Sequence, residues 1–95
     1  MLHIVNKSPH GNPALRDCLR FCDRNDVLLL IEDGVYAAIG EHPESLLAVT
    51  PNICVLSEDL SARGLLGRID SRVTAVDYAG FVQLCCEHHP IQSWF

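Results

Sequence analysis

Val27-Leu28-Leu29-Leu30-Ile31 is an unbroken run of five aliphatic side chains, entered from Asp26 and left through Glu32-Asp33-Gly34. A half-exposed strand alternates apolar with polar residues, so a continuous run reads as a strand covered on both faces. The acidic pair and glycine turn the chain. Val35 to Ile39 then resumes as an apolar, alanine-containing segment suited to a helix. Strand, acidic turn and helix make half of a parallel α/β layer, and the rest of the chain repeats the pattern.

Leu2 to Val5 is a first short strand, closed by Asn6-Lys7-Ser8-Pro9, where the proline forbids a further ladder bond. Asn12 suits a cap and Pro13 a first helical position, after which Leu15, Cys18, Leu19 and Cys22 recur at helical spacing. Arg16, Asp17, Arg20 and Asp23 fall largely off that stripe. Gly40 breaks the helix after the central strand, and Pro43-Glu44 opens a second helical stretch through Leu46, Leu47 and Val49. Ile53 to Leu56 is a third strand, followed by Ser57-Glu58-Asp59 and a short helix from about Leu60 to Gly64 or Gly67. Val73 to Val76 is a fourth. Asp77 caps a last helix with Tyr78, Phe81, Val82 and Cys85 on one face, His88 and His89 in its last turn, and Pro90 as its stop. The tail Ile91 to Phe95 carries two large aromatics, which makes sense if they dock on something. The reading is therefore one α/β domain over residues 1–95, with four parallel strands, right-handed crossovers and helices on both faces.

Composition narrows the function. The chain has 95 residues, 48% of them apolar, with no linker or repeat; at that size one core buries a modest share, and help from partner subunits is plausible. Net charge is -5 and the seven basic residues are scattered, so the chain does not grip nucleic acid directly. No apolar run approaches the roughly 20 residues that span a bilayer, and Met1 to Val5 is too short for a signal peptide. A cytoplasmic protein is expected. Five cysteines without regular spacing read as reduced thiols rather than a disulfide framework.

Three constellations bear on chemistry. Ligands in open α/β sheets sit beyond the carboxyl ends of the strands. Here those ends carry Lys7-Ser8, Glu32-Asp33, Ser57-Glu58-Asp59 and Asp77, which repel phosphate, and no glycine-rich loop cradles one. A phospho-acceptor receiver would place its acidic pair after the first strand and its lysine late; here the order is reversed, and capping of helix starts explains the carboxylates. Cys85-Cys86-Glu87-His88-His89 groups metal-ligating types, but on a helix Cys86 points about 100° away from Cys85, and no second segment supplies ligands. No metal or other cofactor is expected. Cys18 lies in the apolar stripe, which reads as core, whereas a sulfur-carrying thiol needs access and an electropositive setting.

The opening Met1 to Pro9, the central Glu32-Asp33-Gly34-Val35-Tyr36-Ala37-Ala38, then Glu58-Asp59-Leu60-Ser61-Ala62-Arg63-Gly64 and the terminal Ser93-Trp94 together resemble the DsrH/TusB family, in order and across the chain. That resemblance implies a three-layer DsrE/F/H-like α/β fold. It also implies the small third subunit of a heterohexamer, two copies each of three related chains, that relays persulfide sulfur. The expected partners are TusC/DsrF-like and TusD/DsrE-like subunits, with sulfur arriving from a TusA-type carrier and leaving through a TusE/DsrC-like one. In the TusBCD branch the sulfur goes to 2-thiolation of the tRNA wobble uridine; in the DsrEFH branch it serves dissimilatory sulfur oxidation. The main accepting cysteine belongs to the sister TusD/DsrE chain, so this subunit is expected to be accessory rather than catalytic alone. Asp17-Cys18-Leu19-Arg20-Phe21 looks like the segment where DsrH-type members carry a cysteine, which makes Cys18 the candidate persulfide site. A stand-alone small binding domain without sulfur chemistry is the reading of another class.

Overall fold

The computed structural model describes every residue from Met1 to Phe95. Its elements are β1 (Leu2–Val5), α1 (Ala14–Phe21), β2 (Val27–Leu30), a 3-10 helix (Glu32–Ala38), α2 (His42–Leu47), β3 (Ile53–Leu56), α3 (Ser57–Ala62), β4 (Thr74–Val76), α4 (Tyr78–Glu87) and β5 (Ile91–Trp94). All strand pairings are parallel, in the order β4-β3-β2-β1-β5.

The chirality of crossovers assigns each helix to its side. From β1 to β4 every connection steps the same way across the sheet, so α1, the 3-10 helix, α2 and α3 cover one face. The return from β4 to β5 runs the other way, and α4 covers the opposite face. Two cores result. Val5, Leu28, Leu30, Ile53 and Val55 meet Leu15, Cys18, Val35, Leu46 and Leu60 on the α1 side. Leu2, Ile4, Val27 and Leu29 meet Phe81, Leu84 and Cys85 on the α4 side. Each of Leu28, Leu29 and Leu30 is wholly buried, as the continuous apolar run requires of a strand with neighbours on both edges and layers on both faces.

The structure corrects the sequence reading at several points. The sheet has five strands, because Ile91 to Trp94 pairs with β1 in register Leu2 to Ile91 and Val5 to Trp94. The aromatic tail therefore docks on its own sheet. The segment after β2 is a 3-10 helix starting at Glu32 rather than a helix over Val35 to Ile39. Gly34 explains the tightness: a Cβ there would stand 2.4 Å from the Val5 carbonyl oxygen, so the helix can lie this close to β1 only with no side chain at that position. Helix α3 begins at Ser57, three residues before the expected Leu60. Cys22 lies just beyond α1, yet is buried. On α4 the inward face is Phe81, Leu84 and Cys85, while Tyr78 and Val82 point outward at 58% and 59% exposure.

Candidate functional site

Chain reversal between β1 and β5 makes the carboxyl ends of these strands the switch point of the sheet, where ligands commonly sit. The acidic groups along that edge are committed to the protein's own donors. Asp59 accepts the Glu32 N–H at 2.6 Å, and Glu58 accepts the Tyr78 N–H at 3.1 Å. Asp77 accepts the Gly80 N–H at 2.8 Å, capping α4 as its position after β4 predicts. The Arg63 guanidinium donates to Asp33 at 3.0 and 3.1 Å and to the Asp59 carbonyl at 3.1 Å. These carboxylates cap and brace helix starts. Glu32 holds a left-handed φ of 49°, strain that this bracing maintains.

Cys18 sits on the inner face of α1, fully buried against the sheet. Burial, with Cys22 and Asp26 nearby, pushes its thiol up to about 12. A thiolate is the form that accepts or attacks sulfur, and this setting opposes it. Cys22 is pushed up to about 11, by burial first and then by Asp26 and Asp23, against the amino terminus. Cys54 and Cys85 are half-buried and raised by desolvation; Cys86 alone is exposed. The run Cys85 to His89 makes no ligand cluster: His89 turns back to within 3.0 Å of the Cys86 carbonyl.

A second polar centre, unmarked in the sequence reading, lies at the amino end of the sheet. His3 is wholly buried on the α1 side of β1. Its Nε2 lies 2.9 Å from Asp26 Oδ2, and the Trp94 indole Nε1–H donates to its Nδ1 at 3.1 Å. An indole N–H can only donate, so Nδ1 is the unprotonated nitrogen and Nε2–H donates to Asp26. Asp26 also accepts the amino terminus at 3.2 Å and the Asp23 N–H at 2.9 Å. Burial pushes its carboxyl up, but these donors outweigh that and hold it at about 2. A nitrogen of His3, Sγ of Cys22 and a carboxylate oxygen of Asp26 fall within 4.8 Å of one another, a donor set that could hold a soft divalent cation. A metal on Nε2 of a neutral ring would place a proton on Nδ1, facing the Trp94 N–H. The donor set therefore fits a proton between His3 and Asp26 better than an ion. A lone histidine between Leu2 and Ile4 gave no periodic signal; only its inward register on β1 identifies it.

The largest cavity, about 550 Å³, opens between the loop after β1 and the starts of α1 and α2, lined by Asn12, Arg16, His42 and Ser45 among others. None of the cysteines lines it. Burial thus raises four of the five thiols rather than activating them.

Comparison with known proteins places the chain. A family model described as "DsrH like protein" matches residues 7–91. Protein TusB of Erwinia tasmaniensis is 43% identical over 99% of this chain and its own full length. Protein TusB of Escherichia coli O81 is 39% identical over the same shares. Among solved structures, the ychN protein of E. coli superposes with a TM-score of 0.78 at 18% identity, covering 97% of both chains. Protein Tm0979 of Thermotoga maritima gives 0.65 at 24% identity, covering 88% of this chain and 90% of its own. These two likenesses concern the fold. The matches run through the whole chain, and the chain belongs to the DsrH/TusB family.

Proposed function

We propose that this chain is an accessory subunit of a cytoplasmic sulfur-relay complex that passes persulfide sulfur from a TusA-type carrier toward 2-thiolation of the tRNA wobble uridine. The observation that carries the reading is full-length identity of 39–43% to proteins named TusB. Two further features support it. The carboxylates at the strand ends are spent on capping, and the thiols nearest the core are held protonated by burial, so the chain has little chemistry of its own to offer. Its partners are TusC/DsrF-like and TusD/DsrE-like chains in a heterohexamer, and a TusE/DsrC-like carrier takes the sulfur onward.

Cys18 is the candidate sulfur carrier within this subunit, and its complete burial favours a packing role over carriage. The test is reconstitution from the source organism. Co-expressed with its two sister chains, the subunit should co-purify as a defined oligomer and support sulfur transfer to tRNA. Mass spectrometry after exposure to a persulfide donor should find the added sulfur on a sister chain. A subunit that stays monomeric beside its sisters would defeat the complex. Added sulfur on this chain, lost in Cys18→Ser, would restore Cys18 as a carrier and favour the sulfur-oxidation branch.

A further inference from the structure

The cluster around His3 joins both ends of the chain to the start of β2. Trp94 closes the outermost strand, its indole stacks on Phe21 with centroids 5.7 Å apart, and its one polar atom is bonded to His3. The bond exists only while His3 Nδ1 is free of a proton, because the indole N–H has no lone pair to offer in return. A proton arriving at Nδ1 turns the acceptor into a donor. The two N–H groups then face each other across 3.1 Å, and the indole must leave.

We propose that His3 is a proton-operated latch on the C-terminal strand: the neutral ring holds Trp94 in place on β1, and the protonated ring releases it. Ionisable groups gather around His3 and its partner Asp26. Asp26, from the segment before β2, faces Nε2 directly and itself accepts the Met1 ammonium and the Asp23 backbone N–H; the Cys22 thiol lies within 4.8 Å of the His3 nitrogen and the Asp26 carboxylate, and the Cys18 thiol of α1 lies close to Cys22 and Asp26. Strand β5 itself carries no titratable side chain. Nε2–H stays paired with the ionised Asp26 whether or not Nδ1 is protonated, so the new positive charge has its counter-ion at 2.9 Å. What is lost is the Trp94 bond alone. Only β1 pairs with β5, leaving its outer edge open, and three of its four residues are exposed; Trp94 also packs against the α1-side core, so its release loosens the end of an edge strand and the margin of that core.

Nitrogen-resolved NMR of the full chain tests this, with a titration from about pH 8 to about pH 5. At the upper end, His3 should show the Nε2–H tautomer, and the Trp94 indole proton should resonate downfield as a hydrogen-bonded donor. As the His3 ring protonates, the indole resonance should move to its free position in step, and the β5 amides should exchange at least tenfold faster than those of β2. His3→Gln should abolish the transition. Should that variant not fold, Trp94→Phe keeps the proposal testable, since β5 in it should no longer respond to the His3 titration. A His3 ring that carries its proton on Nδ1 at neutral pH, that stays neutral through the range, or that titrates while Trp94 does not move would each overturn the latch.

Discussion

At the residue scale, the environment of a side chain decides what its chemistry can do. Cys18 has the right atom for sulfur transfer, but its thiol is pushed up to about 12, leaving a negligible thiolate fraction at neutral pH. Thiol alkylation of the folded chain should therefore modify the exposed Cys86 first and Cys18 only on unfolding, which peptide mapping over time would resolve. Cys18→Ser should lower stability by about 1–3 kcal/mol, since a hydroxyl would be buried in an apolar core. Gly34 poses the opposite case. Gly34→Ala drives a methyl to 2.4 Å from a backbone oxygen, and a loss of at least about 2 kcal/mol in urea unfolding is expected. Asp26 gives a pH signature. Its carboxyl falls from 3.8 to about 2 in the folded protein, so its contribution is complete above about pH 4 and disappears as pH falls through 2. Wild type should exceed Asp26→Asn by about 1–2 kcal/mol at pH 5, with the gap closing toward pH 2 in denaturant titrations. The buried role of Cys18 was legible from its helical stripe. The His3–Asp26–Trp94 contacts were not, because their partners lie up to 91 positions apart and no local period links them.

At the element scale, legibility followed burial. The strand β2 announces itself because both its faces and both its edges are covered, and its composition has no room for polar residues. Asp77 announces α4 for a local reason, a side chain that caps the helix it precedes. Strand β5 is the reverse case: an edge strand with three exposed residues needs no apolar alternation, so Ile91 to Trp94 carries no strand signature and reads as a tail whose aromatics dock somewhere. The 3-10 geometry after β2 likewise follows from the approach of Gly34 to Val5, a tertiary contact that local propensity does not encode. Since β5 covers β1, removing Ile91 to Phe95 should uncover an uncharged edge flanked by Leu2 and Ile4. A loss on the order of 2–4 kcal/mol and concentration-dependent aggregation are expected, measured by urea unfolding and light scattering.

At the scale of the whole molecule, the two faces of the sheet are unequally covered. Four helical segments blanket the α1 side, whereas α4 alone covers the other and has no fully buried residue. Its inward positions Phe81, Leu84 and Cys85 close the smaller core, and its outward Tyr78 and Val82, one turn apart, stay open to solvent. Large apolar side chains at i and i+4 on an outer helix face are what a subunit seam uses, and the sister chains of the proposed complex would cover them. Tyr78→Glu with Val82→Glu should then leave the isolated chain as stable as before, because neither side chain contributes to its core. The same double variant should fail to co-purify with the sister chains, since burying two carboxylates at an apolar seam costs several kcal/mol without a partner charge. Thermal unfolding of the isolated subunit and size-exclusion of the co-expressed complex separate the two effects. Unimpaired assembly of the variant would move the seam to another face of the molecule, and lost stability of the isolated chain would return Tyr78 and Val82 to the fold itself.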